Sequence, residues 1–128
     1  MTENPKAAAG RRKIQYFNTP ALPSLYQAAV HDLGAGKYGS FNWRHRPIKI
    51  SDYISAIRRH LAQLESGDWD DEESGLPHLA HIMAMAAIVI DARDAHNLID
   101  DRVFTASLPD EMKRIAELKK SWPQAASS

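Results

Sequence analysis

The chain has 128 residues, 44% of them hydrophobic, and a formal net charge of zero from 16 basic and 16 acidic residues. This length suits one domain with its own core, and the neutral balance gives no general attraction to DNA, RNA or a membrane surface. The absence of cysteine excludes disulfides, thiol catalysis and thiolate zinc sites. The N-terminal region lacks the apolar core of a secretory signal, and the longest apolar stretch, 79–90, is too short to span a bilayer, so we expect a cytoplasmic protein.

The pattern of apolar residues predicts an all-α fold, a bundle of four to five helices over residues 20–123. We expect a mobile N-terminal arm at 1–19 and a C-terminal tail at 124–128. No segment alternates with a period of two, so no substantial sheet is expected. Four helices are predicted. The first covers residues 21–33 and is ended by Gly34 and Gly36, and the second begins at an N-cap at Ser51 and ends near Gly67. The third runs from 74–77 to Asp94, and the fourth begins after Ser107 and is ended by Pro123.

The helix predicted up to Asp94 is apolar almost all round from Leu79 to Ile90. Such a pattern is typical of a helix at the buried centre of a bundle. Two segments have no predicted helix of substantial length. Residues 95–106 form a short helix or a loop, and residues 34–50 form a long loop, which inside a compact domain usually has a function.

Acids and histidines cluster between residues 60 and 81. Six of the nine residues from Glu65 to Glu73 are acidic, which fits a solvated turn before a helix as well as ligands for a hard cation. His78 and His81 share one face at a helix start, where the positive helix end favours neutral imidazole, a form that accepts a metal or a proton. In an antiparallel hairpin, His60 would approach His78. We therefore interpret this cluster as the chemical site.

The predicted loop 34–50 combines cations with aromatic residues. Arginine and lysine neutralise phosphate oxygens, and an aromatic ring stacks on a base, so the loop suits a nucleotide. The alternative is a loop whose aromatic residues close the core while its cations face water. The glycine and lysine spacing of a Walker loop is absent. The residues that suggest the nucleotide are Lys37, Tyr38, Asn42, Trp43, Arg44, His45 and Arg46.

Three ordered blocks, KYGSFNWR at 37–44, RRHLAQL at 58–64 and DEESGLPHLAH at 71–81, resemble the phage dATP/dGTP diphosphohydrolase N-terminal-type (MazZ-like) family. This family is related to MazG-like all-α nucleoside triphosphate pyrophosphohydrolases. The resemblance covers residues 23–92. It implies a bundle of the MazG-like type and conversion of a deoxynucleoside triphosphate, dGTP or dATP, to its monophosphate and pyrophosphate, in phage nucleotide metabolism that supports modified-adenine DNA.

The resemblance also implies Mg²⁺ or Mn²⁺ as cofactor, with two or more ions, and a homodimer or homotetramer. The wider MazG-like pattern places EExxE on one helix and ExxD on another, and this chain has no EExxE. If HLAH at 78–81 takes the place of ExxD, two carboxylates have become imidazoles. Carboxylates that remain open as additional ligands are Asp68, Asp70, Glu72 and Asp91.

On this resemblance, the mechanism is metal-assisted attack of water on the α-phosphorus. The catalytic residues are His60, Glu73 and His78, with His60 as ligand or proton acceptor. The metal ligands are Asp71, Glu73, His78 and His81. Lys37, Arg44 and Arg59 hold the phosphates, and Tyr38, Asn42 and Trp43 lie nearest the nucleoside.

Two other function classes remain open on the residues. One is a non-catalytic module that binds a nucleotide or a protein through loop 34–50. The other is an HD-type or zinc-dependent phosphohydrolase that releases triphosphate or phosphate; the dipeptide His31-Asp32 suggests it, but the further upstream histidine of that pattern is missing.

Overall fold

The computed structural model describes residues 2–126, so Met1 of the predicted arm and the last two residues of the predicted tail lie outside the described residues. The prediction of an all-α fold is confirmed. The strands that the described residues form are two residues long and pair in parallel, Ile48 with Leu98 and Lys49 with Ile99. In chain order the elements are α1 (Pro5–Arg11), a 3-10 turn (Tyr16–Asn18), α2 (Ala21–Tyr38), α3 (Asn42–His45), β1 (Ile48–Lys49), α4 (Ile50–Glu65), α5 (His78–Asp94), β2 (Leu98–Ile99) and α6 (Leu108–Lys119).

Three long helices make up the packed part of the chain. α4 and α5 form a hairpin with the most extensive contact, and α2 packs against α5. Within the described residues, α6 has no comparable contact with any other element. The packed unit of the single chain therefore has three long helices, whereas the sequence predicted a bundle of four or five.

α2 is longer than predicted because it continues through both glycines that were expected to end it. A glycine inside a helix costs only about 1 kcal/mol relative to alanine, and packing against α5 offsets such a cost. The helix ends at Gly39, whose φ of 91° lies in the left-handed region that favours glycine. The prediction of one long loop over 34–50 is therefore wrong, since this segment contains the end of α2, all of α3 and β1.

The start of α4 also differs from the prediction. The helix begins at Ile50, and Ser51 is not its N-cap. Instead the backbone N–H of Ser51 donates to a carboxylate oxygen of Asp101 at 3.0 Å, so the helix end is satisfied by a residue fifty positions away. The end of α4 near Gly67 is confirmed: Gly67 has a φ of 108° and its N–H donates to the Leu64 carbonyl at 3.1 Å, as in a glycine-terminated helix.

α5 is less buried in the single chain than its composition predicted. Its buried residues are His78, Ala80, Ala84 and Ala92. Alanine lets neighbouring helices approach closely, and the larger side chains are left on the outer face. Ile90 is 71% exposed and Leu79 is 44% exposed, so the prediction of burial all round is wrong for the isolated chain.

The N-terminal segment forms helical structure but lies outside the packed part. The Asn4 side chain accepts a hydrogen bond from the Lys6 N–H at 2.8 Å, which caps α1. Ile14, Tyr16 and Phe17 in the following segment are exposed. No helix in the described part of the chain is long and apolar enough to cross a membrane.

The close approach at Ala92 makes it a test of the packing. Ala92 is 0% exposed, so we expect Ala92→Leu to lower the free energy of unfolding by about 1–3 kcal/mol through overpacking. The control is Ala62→Leu, because Ala62 is exposed on α4 and surface changes usually stay within about 0.5 kcal/mol. Urea unfolding followed by circular dichroism measures both, and equal losses would contradict the packing described.

Candidate active site

The segment 66–77 returns the chain from α4 to α5 in a fixed conformation. The His78 N–H donates to the Trp69 carbonyl at 3.0 Å, and the Asp71 N–H donates to the Leu76 carbonyl at 2.8 Å. Gly75 has a φ of 74°, and its N–H donates to the Asp71 carbonyl at 2.8 Å. The acidic connection is therefore an ordered turn that holds Asp71 against the first residue of α5.

His60, Asp71 and His78 form a compact group of metal-ligating side chains. Nδ1 of His60 lies 2.8 Å from Nδ1 of His78. One ligand atom from each of the three residues lies within 4.8 Å of the others. The His78 side chain is 1% exposed, so the group lies against the interior of the hairpin. The antiparallel approach of His60 and His78 predicted from the sequence is what the structure contains.

His81 adjoins this group one helical turn into α5. Its Nε2 lies 2.8 Å from the Ser74 hydroxyl and 3.7 Å from Oδ2 of Asp71. Its ring stacks on that of His60 with 4.6 Å between centroids and 6° between planes. His81 thus contacts two members of the group, His60 and Asp71. Ser74 connects it further to Asp71, because its hydroxyl bonds to His81 and its N–H donates to Asp71.

The electrostatics of this cluster favour neutral imidazoles beside an ionised carboxylate. Burial lowers the pKa of His60, and the nearby histidines lower it further. Burial also lowers the pKa of His81. Burial by itself would raise the pKa of Asp71, but hydrogen bonds from Ser74 and the neighbouring histidines hold it below its ordinary value. These are the protonation states that bind a cation or accept a proton.

Glu73 is placed differently from the role predicted for it. It is not a member of the group of three, and its carboxylate instead pairs with Nζ of Lys37 at 3.2 Å. Its side chain is 79% exposed. The pair brings the end of α2 to the turn before α5, which places a cation next to the histidine cluster.

A groove of about 820 Å³ lies between α2, α4 and α5. His81 and Asp91 both line it from α5, and ten residues of helix separate them by about 15 Å. This length is comparable with that of an extended nucleoside triphosphate, and the volume lies within the range of small-molecule sites. The residues of the KYGSFNWR block that line the groove are Lys37, Tyr38, Gly39, Ser40, Phe41, Asn42 and Trp43.

Asp91 anchors this block at the end of the groove remote from His81. Its carboxylate accepts from Nε1 of Trp43 at 2.6 Å and from Nε and Nη2 of Arg44 at 2.8 and 2.6 Å. The carbonyl of Trp43 also accepts from the Asn97 side chain at 2.7 Å. The hydrogen bonds from Arg44 and Trp43 lower the pKa of Asp91 to about 2. The Arg44 guanidinium is thus engaged by Asp91, although the sequence assigned it to phosphate.

A sequence profile of the family described as dATP/dGTP diphosphohydrolase, N-terminal, matches residues 3–102 of the chain. The chain belongs to this family. The resemblance recognised in the sequence is thereby confirmed. A protein of Salmonella phage PMBT28 named dATP/dGTP diphosphohydrolase is 33% identical to the chain over 82 residues, which cover 64% of this chain and 28% of that protein. The chain thus corresponds to less than a third of that relative, and no solved structure matches it.

Within this family member, the predicted site residues fall into four sets. His60, Asp71, His78 and His81 lie together, and Lys37, Tyr38, Asn42 and Trp43 line the adjoining groove. Arg59 is exposed on α4 and is not among the residues that line the groove in the described part of the chain. Glu73 and Arg44 are held in ion pairs.

Two contributors were not assigned these roles from the sequence. Ser74 joins Asp71 to His81, and the spacing from Asp71 to Ser74, typical of a turn closed by an aspartate side chain, was the available signal. Asp91 was considered only as an open metal ligand, and nothing local in the sequence connects it to a segment 47 residues earlier.

The anchoring role of Asp91 predicts a specific pH dependence. Because its pKa in the folded protein is about 2, below the ordinary 3.8, its stabilising contribution is present above pH 3.8 and is lost as the pH falls toward 2. We expect Asp91→Asn to lower the melting temperature at pH 7, with the difference from the unsubstituted protein shrinking below pH 3.8. Asp94→Asn, on the same helix, is the matched control. A difference that stays constant down to pH 2.5 would contradict this role.

Proposed function

We propose that this chain catalyses metal-dependent hydrolysis of a deoxynucleoside triphosphate to the monophosphate and pyrophosphate. The observation that carries the proposal is the continuity of the groove with the histidine cluster, since His81 belongs to both. One end therefore offers metal-ligating groups and a lysine, and the other offers aromatic residues. This polarity suits a ligand with a triphosphate at one end and a base at the other. The name of the phage relative, dATP/dGTP diphosphohydrolase, supports the same substrate class.

The donor set fits a divalent cation. Two imidazole nitrogens and a carboxylate oxygen lie within 4.8 Å of one another, and His60 and Asp71 are in the protonation states that bind cations. A divalent ion, Mg²⁺ or Mn²⁺ on the family resemblance, would stabilise negative charge on phosphate oxygens and lower the pKa of the attacking water.

The remaining roles follow from the side chains themselves. Lys37 at the groove contributes positive charge for the phosphates. His81, held at Nε2 by the Ser74 hydroxyl, supports the Asp71 carboxylate beside the groove. Trp43, held by Asp91, presents a fixed aromatic ring to the groove beside Phe41. Holding a ring rigid before the ligand binds reduces the entropy cost of stacking a base on it.

We propose dGTP as the main substrate and dATP as a second, in phage nucleotide metabolism that supports modified-adenine DNA, in the cytoplasm of the host. The support is the family and the name of the phage relative, which includes both nucleotides. Asn42 at the groove is the residue best suited to hydrogen-bond a base edge, because its amide both donates and accepts.

The test is incubation of the purified protein with each of the four deoxynucleoside triphosphates and Mg²⁺ or Mn²⁺, with chromatography of the products. We expect monophosphate plus pyrophosphate, abolished by EDTA. His78→Ala and Asp71→Asn should lower kcat/KM by about 100-fold or more, as loss of a ligand or its support does. Arg58→Ala, an exposed cation on α4, should leave it unchanged.

Other products would replace the proposal. Nucleoside plus triphosphate would indicate the HD-type reaction, and no turnover by folded protein with any nucleotide would indicate a binding module.

We also propose that the chain functions as a homo-oligomer. Its accessible surface is 10783 Å², whereas a compact monomer of this mass exposes about 6800 Å². The excess of about 4000 Å² far exceeds the roughly 800 Å² that each partner buries in a standard interface. Zero net charge gives little repulsion between copies.

The face best suited to a second copy is the apolar stripe of α6. Its members recur at helical spacing and are all exposed, with no extensive contact to other described elements. An amphipathic helix gains most of its stability by burying such a stripe. The stripe consists of Leu108, Met112, Ile115 and Leu118, and the exposed Trp122 follows it three residues beyond the end of α6.

If copies assemble through this stripe, charged substitutions in it should lower the mass of the species in solution. We expect sedimentation analysis to give a dimer or tetramer for the unsubstituted protein and a smaller species for Met112→Glu combined with Ile115→Glu. Lys113→Glu, which reverses a charge off the stripe, should leave the mass unchanged. A monomer for the unsubstituted protein at micromolar concentration would contradict the proposal.

A further inference from the structure

The donor atoms of the group formed by His60, Asp71 and His78 discriminate between classes of ion. Mg²⁺ prefers oxygen ligands in octahedral arrangement and is reluctant to lose its water. Imidazole nitrogen suits the later first-row transition ions such as Fe²⁺, Co²⁺ and Zn²⁺, whereas Mn²⁺ shares the preference of Mg²⁺ for oxygen ligands. Two of the three donors here are imidazole nitrogens, so the group is poorly suited to a site dedicated to Mg²⁺.

A magnesium site would need further carboxylate oxygens, but the other candidate carboxylates pair with other residues or lie outside the group. Glu73 pairs with Lys37 at 3.2 Å. Asp91 holds Arg44 and Trp43 at the other end of the groove. Among the described residues, the group of three therefore contains one carboxylate, that of Asp71.

The geometry of the two histidines is close to that of a ligand pair. Their Nδ1 atoms are 2.8 Å apart, a distance at which one imidazole N–H donates to the other. Two nitrogens on a tetrahedral ion at about 2.05 Å from each lie about 3.3 Å apart. The two nitrogens would therefore need to separate by about half an ångström, with loss of the proton between them, for both to face an ion. The backbone of His78 is held in place because its N–H donates to the Trp69 carbonyl.

The neighbouring residues support the carboxylate of this set. Asp71 accepts from the Ser74 N–H at 2.9 Å and lies 3.7 Å from Nε2 of His81. Polar partners of this kind orient a ligand and typically change metal affinity by about 10- to 100-fold. His81 then acts as a positioning residue beside the three ligands, in contrast to the ligand role that the family resemblance implied.

We propose that His60, Asp71 and His78 form a site for one first-row transition ion, which they bind through two nitrogens and one oxygen in preference to Mg²⁺. The proposal rests on the proposed function and deepens it by naming the ion class and the ligands. Three protein ligands leave coordination positions open for water and a phosphate oxygen, as in other metal sites that combine two histidines with a carboxylate.

The test is direct binding of ions to EDTA-treated, dialysed protein by calorimetry and, for Co²⁺, by visible absorption. We expect Co²⁺ and Zn²⁺ to bind with one equivalent per chain at least about tenfold more tightly than Mg²⁺. His60→Ala and His78→Ala should each weaken Co²⁺ binding by at least about tenfold. His96→Asn, which replaces an exposed histidine beyond the end of α5 with a residue that tolerates its left-handed backbone, should bind Co²⁺ as the unsubstituted protein does.

A measurement without substitution covers the case in which a variant does not fold. Proton NMR of the Co²⁺-loaded, unsubstituted protein should contain two strongly shifted, exchangeable imidazole N–H signals, one from each ligating histidine. Absence of these signals, or Mg²⁺ binding as tight as that of Co²⁺, would overturn the proposal.

The outcomes separate this proposal from the proposed function. Turnover of a deoxynucleoside triphosphate with Mg²⁺, without Co²⁺ binding at the histidines, would overturn the ion assignment and leave the hydrolase. Co²⁺ binding at these histidines in a protein that turns over none of the four nucleotides would support the site and overturn the hydrolase.

Discussion

The position of His78 opposite His60 depends on the backbone hydrogen bonds that close the segment between α4 and α5. Gly67 ends one helix in a left-handed conformation, and the bond from His78 to the Trp69 carbonyl fixes the start of the next. If this turn opened, Asp71 would leave the two histidines and Ser74 would no longer join it to His81. Without these backbone hydrogen bonds, the acidic side chains of this segment would stay in solvent. The hydrogen bonds of the turn are therefore what place a carboxylate beside the two histidines.

A second constraint acts at the far end of the groove. The Asp91 carboxylate takes three hydrogen bonds from Trp43 and Arg44, which attaches α3 to α5. The turn that leads into α3 contains Phe41, which has a φ of 53° although it is not a glycine. An unfavourable conformation of this kind persists where surrounding contacts hold it, and the bonds to Asp91 supply such contacts. The groove therefore has fixed features at both ends before any ligand enters.

The sequence was sufficient for the parts of the molecule that local chemistry determines. The hairpin approach of His60 and His78, the end of α4 near Gly67 and the all-α class follow from helical periodicity and glycine. The prediction of a long loop was wrong because Gly34 and Gly36 favour the end of a helix locally, whereas packing against α5 stabilises the continued helix. The cap at Ser51 and the partner of Arg44 were beyond local reasoning, since Asp101 and Asp91 lie about fifty residues away in the chain.

The exposure of apolar side chains in the single chain differs most from what the sequence pattern predicted. α5 has the composition of a central helix, yet Ile90 is largely exposed, and α6 presents a whole apolar stripe to solvent. Contiguous exposed apolar residues of this kind mark surfaces that bind another molecule. In the proposed homo-oligomer, other copies would cover the exposed apolar residues of α5 and α6. The histidine group lies on the hairpin itself, so its side chains come from one chain, whereas the proposed assembly would cover the open side of the groove beside α2 and α5.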